Sequence, residues 1–101
     1  MNNNIIQGCF SGATATYLSK DRKHVFKFEF IPENNHVDIK CTQHPSYNGQ
    51  DPDPEKTHLY RTNFICFIKG KEPTNMSRAK ELAAQWAEYF LDYRQTGKVQ
   101  R

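Results

Sequence analysis

Long hydrophobic runs are missing from this 101-residue chain; the longest uninterrupted apolar stretch is Phe64 to Ile68, far short of the ~20 residues that a membrane-crossing helix needs. A membrane-spanning helix is therefore excluded. Cysteine is scarce as well. Cys9, Cys41 and Cys66 are odd in number and widely spaced, which fits neither a disulfide framework nor a pair of Cys-x-x-Cys zinc knuckles, so reduced thiols are expected. The start, Met1-Asn2-Asn3-Asn4-Ile5-Ile6, has no basic leader followed by an apolar segment, and a cytoplasmic location is the expectation. Charge of one sign is also lacking: 14 Lys and Arg stand against 11 Asp and Glu. The positive charges scatter, apart from Lys20, Arg22, Lys23, His24 and Lys27 around one predicted turn and strand, so nucleic acid ranks last among partner classes.

What is present fits one small folded domain, because aromatics reach 13% and the net charge is only +3. Residues 1–16 are polar or small and read as a loosely ordered arm, with an edge strand beginning near Thr16. From Val25 to Ile31 the pattern alternates, placing Phe26, Phe28 and Phe30 on one face and Lys27 and Glu29 on the other. Pro32-Glu33-Asn34-Asn35 supplies turn chemistry, and His36 to Thr42 returns with Val37, Ile39 and Cys41 on one face. The proline-rich stretch 43–57 is a long loop, which marks it as functional or mobile. Leu59 to Ile68 then reads as a strand buried on both faces in its second half, ended by Gly70 and Pro73.

Beyond Pro73 the period changes to that of a helix. Thr74, Asn75 or Ser77 can cap its start, Gly97 stops it, and Ala79, Leu82, Ala83, Trp86, Phe90 and Tyr93 draw one apolar stripe at separations of three and four. The fold class is α+β, an antiparallel sheet of three to four strands covered by one long C-terminal helix. Residues 17–98 form the domain and residues 99–101 a tail.

Reactive side chains are densest between Cys41 and Cys66. Cys41, His44, His58 and Cys66 are zinc-type ligands but lack a second closely spaced pair, and Asp51, Asp53 and Glu55 lack the glycine and terminal glutamate of a calcium loop. No metal and no cofactor are expected. Cys66 with His58 or His44 has the composition of a nucleophile and its base. Against that stands a plain alternative: free cysteine is among the most buried residue types, and Ile65 and Phe67 flank Cys66.

His58-Leu59-Tyr60, the polar turn Arg61-Thr62-Asn63 and Ile65-Cys66-Phe67 are followed by a helix that carries Trp86 and ends Tyr93-Arg94-Gln95-Thr96-Gly97-Lys98. This combination, over residues 17 to 98, resembles the bacterial E2-like proteins of the ubiquitin-conjugating fold, without the N-terminal helix of the eukaryotic enzymes. There a His-x-Tyr segment precedes a Leu-Cys-Leu-like segment with the active-site cysteine, and the final helix holds a tryptophan and closes with Thr-Gly. The resemblance implies that Cys66 takes a ubiquitin-like C-terminus as a thioester and passes it to an amine. His58 would shape the site, Asn63 or backbone would donate to the oxyanion, and Tyr60 and His44 would be neighbouring binding positions. Thr62-Asn63 stand where the family has a Gly or Asp-Gly turn, and no tryptophan follows the cysteine, so an inactive adaptor is also within the resemblance. The alternative class is a noncatalytic protein-interaction module with Cys66 in its core. Either way the expected partner is a protein; the sequence leaves the oligomeric state open.

Overall fold

The structure, a computed structural model, describes residues 5–6 and 13–99. Four strands run in the order β1-β2-β3-β4, each antiparallel to its neighbour: β1 (Ile5–Ile6), β2 (Ala13–Leu18), β3 (Val25–Pro32) and β4 (Val37–Gln43). A short helix α1 (Pro54–Thr57) and a long helix α2 (Met76–Thr96) follow. The architecture is α+β. No helix among the described residues is long and apolar enough to cross a membrane.

The alternation in β3 and β4 is realised as read. Phe26, Phe28, Phe30, Val37, Ile39 and Cys41 are buried on the face that α2 covers. Register explains how three phenylalanines fit one strand: Phe28 lies between Ala15 on β2 and Cys41 on β4, both small. From α2, Trp86 meets Phe26 and Phe28 edge-on at 6.0 and 6.1 Å between ring centroids, and Phe90 meets Phe26 at 5.6 Å. Such tilted pairs align the positive ring edge with the negative ring face, adding about 0.5–1.5 kcal/mol each beyond area burial.

The ends of α2 follow the capping chemistry of its sequence. Asn75 Oδ1 accepts from Arg78 N at 2.8 Å, and Gly97, at φ 74°, donates its N–H to the Tyr93 carbonyl at 2.7 Å. Leu82, placed on the stripe by spacing, is only half-buried, while Ala87 and Tyr89 are buried beside the expected residues.

Two segments differ from the sequence reading. Ile5–Ile6 and Ala13–Thr16, within the segment read as an arm, join the sheet; Cys9 and the rest of that arm lie outside the described residues. Val99, read as the start of a tail, packs partly against the core, and residues 100–101 lie outside the described residues.

The second difference is a correction: Leu59 to Ile68 is not a strand buried between layers. Asn63, at φ 74°, donates its N–H to the Tyr60 carbonyl at 2.8 Å and reverses the chain just before the apolar run. Only Leu59 and Ile65 are buried, whereas Ile68 is 77% exposed. The folded-back segment instead lies along the outer edge of β4. Cys41 N donates to Asn63 O, Ile65 N to Ile39 O and Val37 N to Pro73 O, at 2.8 to 2.9 Å. Those bonds satisfy backbone groups that an open sheet edge would present to another chain.

Candidate functional site

The 58–66 reversal arranges the candidate side chains. Asp53 caps α1 by accepting from Glu55 N, and His58, left-handed at φ 58°, terminates it by donating its N–H to the Pro54 carbonyl at 2.9 Å. Leu59 then bridges Ile65, Tyr60 N donates to Phe64 O, and Cys66 N donates to His58 O, each of the last two at 2.8 Å. Side chains alternate across such a ladder. Leu59 and Ile65 point into the core at 4% and 6% exposure, so their neighbours Tyr60, Phe64 and Cys66 belong to the outward side. The backbone bond brings Cys66 next to His58, both residues line one groove, and the His58 ring packs on Tyr89 at 5.2 Å between centroids.

Cys66 is half-buried and free of any disulfide. Burial pushes its thiol above the usual range, and the Tyr60 hydroxyl opposes that shift by hydrogen bonding to the sulfur. Tyr60 in turn is raised, first by the negative charge that Cys66 acquires on ionisation. At neutral pH the resting sulfur is therefore a protonated thiol. Attack on any carbonyl, a thioester included, goes through the thiolate, so the proton has to leave Cys66 first. A high-pKa thiol, once deprotonated, is the stronger nucleophile.

Beside Cys66 opens a groove of about 880 Å³. Ile65, Phe67 and Trp86 contribute apolar surface, His58 and Cys66 stand at one side, and residues of α2 from Glu81 to Asp92 form a wall. Tyr17 on β2 and Lys20 just beyond it complete the lining. Glu88 fastens that end to α2: its Oε2 accepts from the Tyr17 hydroxyl at 2.5 Å and from Lys20 N at 3.0 Å.

The remaining expected site residues lie elsewhere. Asn63 sits at the closed end of the reversal, away from the Cys66 end, with its carbonyl committed to Cys41 N. His44 packs against Phe90 and Tyr47, at 4.9 and 5.3 Å between ring centroids, and its Nδ1 lies 2.7 Å from the Pro45 carbonyl. Cys41 faces the core and donates its S–H to Gln43 O; burial pushes its thiol up to about 12. Among the described residues no group of three or more His, Cys, Asp or Glu side chains gathers to hold a metal ion.

Sequence reading missed how the site is held in place. The long 43–57 loop is pinned by polar tips on the apolar stripe of α2. Trp86 Nε1 donates to Thr57 O at 2.9 Å, the Tyr89 hydroxyl to Lys56 O and the Tyr93 hydroxyl to Asp51 O at 2.5 Å. Arg94 adds a bond to Ser46 O at 3.0 Å. The signal available was the residue type: tryptophan and tyrosine at buried positions carry an N–H or O–H that needs a partner.

Comparison with models of protein families, with characterised proteins and with solved structures finds no match to this chain.

Proposed function

We propose that this chain is an E2-like transfer protein, in which Cys66 accepts the activated C-terminus of a ubiquitin-like modifier. The observation that carries the reading is a half-buried thiol beside Tyr60, bonded through its backbone to His58, on a reversal that borders a groove. The four-stranded antiparallel order with a helix across one face is consistent with the order of elements in that fold.

Loading is a thiol exchange. Cys66 Sγ gives up its proton and attacks the thioester carbonyl; the new S–C bond forms, the old one breaks, and the departing thiol carries the proton away. In the second step an amine attacks the same carbonyl, an amide N–C bond forms, and Cys66 leaves and regains a proton. His58, whose carbonyl accepts from Cys66 N, is the residue to receive and return that proton, and Tyr60 steadies charge on the sulfur. Asn63 contributes through the shape of the reversal, as its left-handed backbone makes the turn.

The test uses a short peptide thioester as acyl donor and intact-mass spectrometry as readout. On a Cys9→Ser background the native protein is expected to gain one acyl group at Cys66 that dithiothreitol removes, while the further change Cys66→Ala leaves none. Acylation of Cys66 only after unfolding would refute the reading and favour a noncatalytic module in which Cys66 packs and the groove binds.

A further inference from the structure

The groove beside Cys66 inverts the charge of the chain around it. The protein carries a net +3, yet the groove is lined by Glu88 and Asp92 against a single lysine, Lys20, and by Glu81, which is paired with Arg78 at 3.0 Å. Its acidic side is ordered rather than diffuse. Glu81, Gln85, Glu88 and Asp92 follow one another at i, i+4, i+7 and i+11, so they form one polar stripe along α2, rising about 16 Å at 1.5 Å per residue. Ile65 and Phe67 line the same groove.

These dimensions select an occupant. A stripe of that length matches about five residues of extended chain at ~3.3 Å each. Glu88 and Asp92 are separated by four residues, a rise of about 6 Å, which is close to the distance between alternate side chains on one face of an extended peptide. Glu88 is held in position by the Tyr17 hydroxyl and the Lys20 amide, which occupy only its Oε2. Asp92 is exposed. Two basic side chains two positions apart would therefore meet two carboxylates without distorting either backbone.

We propose that this groove docks an extended cationic segment of a partner protein, carrying basic residues at alternate positions. The proposal deepens the reading of Cys66 as an acyl acceptor and rests on it for the purpose of docking, since Cys66 lines the same groove. Docking itself requires no reaction at Cys66.

The experiment measures fluorescence anisotropy of a labelled seven-residue probe with two arginines two positions apart and alanine or glycine elsewhere. A control probe has glutamine in place of both arginines. The arginine probe is expected to bind about tenfold more tightly at low salt, with the advantage shrinking at physiological salt as charges are screened. The double variant Glu88→Gln, Asp92→Asn removes both carboxylates while keeping an amide oxygen at position 88 to accept from Tyr17 and Lys20, and should weaken arginine-probe binding about three- to tenfold and leave the glutamine probe unchanged. Cys66→Ala should bind as wild type, so a failed acyl transfer and a failed docking are told apart. Equal binding of the two probes, no binding of either, or an unaffected double variant would each overturn the proposal. So would self-association that the double variant abolishes, which would assign the groove to a second copy.

Discussion

Native-state alkylation separates the two described thiols and puts the geometry of Cys66 at risk. Cys41 is 2% exposed and its thiol is pushed from 9.0 up to about 12 by burial. At pH 8 a thiol at 9.0 is roughly 10% thiolate and one at 12 roughly 0.01%, a deficit on the order of a thousandfold before access is considered. Cys66 is raised by the same cause but is half-buried and helped by Tyr60, so it should react with iodoacetamide well ahead of Cys41 while the fold is intact. Peptide-resolved mass spectrometry at several pH values keeps Cys9 apart from both. Tyr60→Phe removes the hydrogen bond that lowers the Cys66 pKa, so the alkylation profile of Cys66 should move to higher pH, with the Cys41 profile unmoved. Equal native-state rates for Cys41 and Cys66, or a Cys66 profile indifferent to Tyr60→Phe, would refute the assignment of Cys66 to the outward side of the reversal.

Two further outcomes follow from buried groups. Because the folded Cys41 thiol ionises near 12 and the unfolded one near 9.0, the unfolded chain binds fewer protons between those values; stability is retained below pH 9 and lost as pH rises. The contribution of Cys41 should be about 1.4 kcal/mol lower at pH 10 than at pH 8, read as the difference between wild type and Cys41→Ala in urea titrations. Trp86→Phe keeps much of the ring packing but strands the buried Thr57 carbonyl, at a cost of about 1–3 kcal/mol and a Tm lower by roughly 4–8 °C per kcal/mol. Hydrogen exchange should quicken first at the Thr57 and His58 amides; an unchanged Tm would remove the clamp from the account.

Much of the scaffold was legible because its signals are local. Phe26, Phe28 and Phe30 alternate with polar residues, and only a strand puts them on one face. Asn75 and Gly97 mark the ends of α2 through their own hydrogen-bonding and backbone freedom. The apolar run from Phe64 to Ile68 was misleading for the same reason, since periodicity in a short stretch does not register a left-handed turn residue just before it.

The sequence by itself determined an α+β chain with an aromatic strand pair, a capped C-terminal helix and a cysteine in an unusual setting. Only the tertiary structure decided that Cys66 N bonds to the His58 carbonyl, that His44 packs on Phe90 and Tyr47 and that Asn63 stands at the far end of the turn. It also decided that Trp86, Tyr89 and Tyr93 fix the loop leading to the site. The physical reason is range. Capping and alternation are set by neighbours a few residues apart, whereas the charge of the groove and the setting of Cys66 depend on groups such as Glu88 and Tyr17, 71 residues apart in the chain. Those meet only once the sheet and α2 have packed.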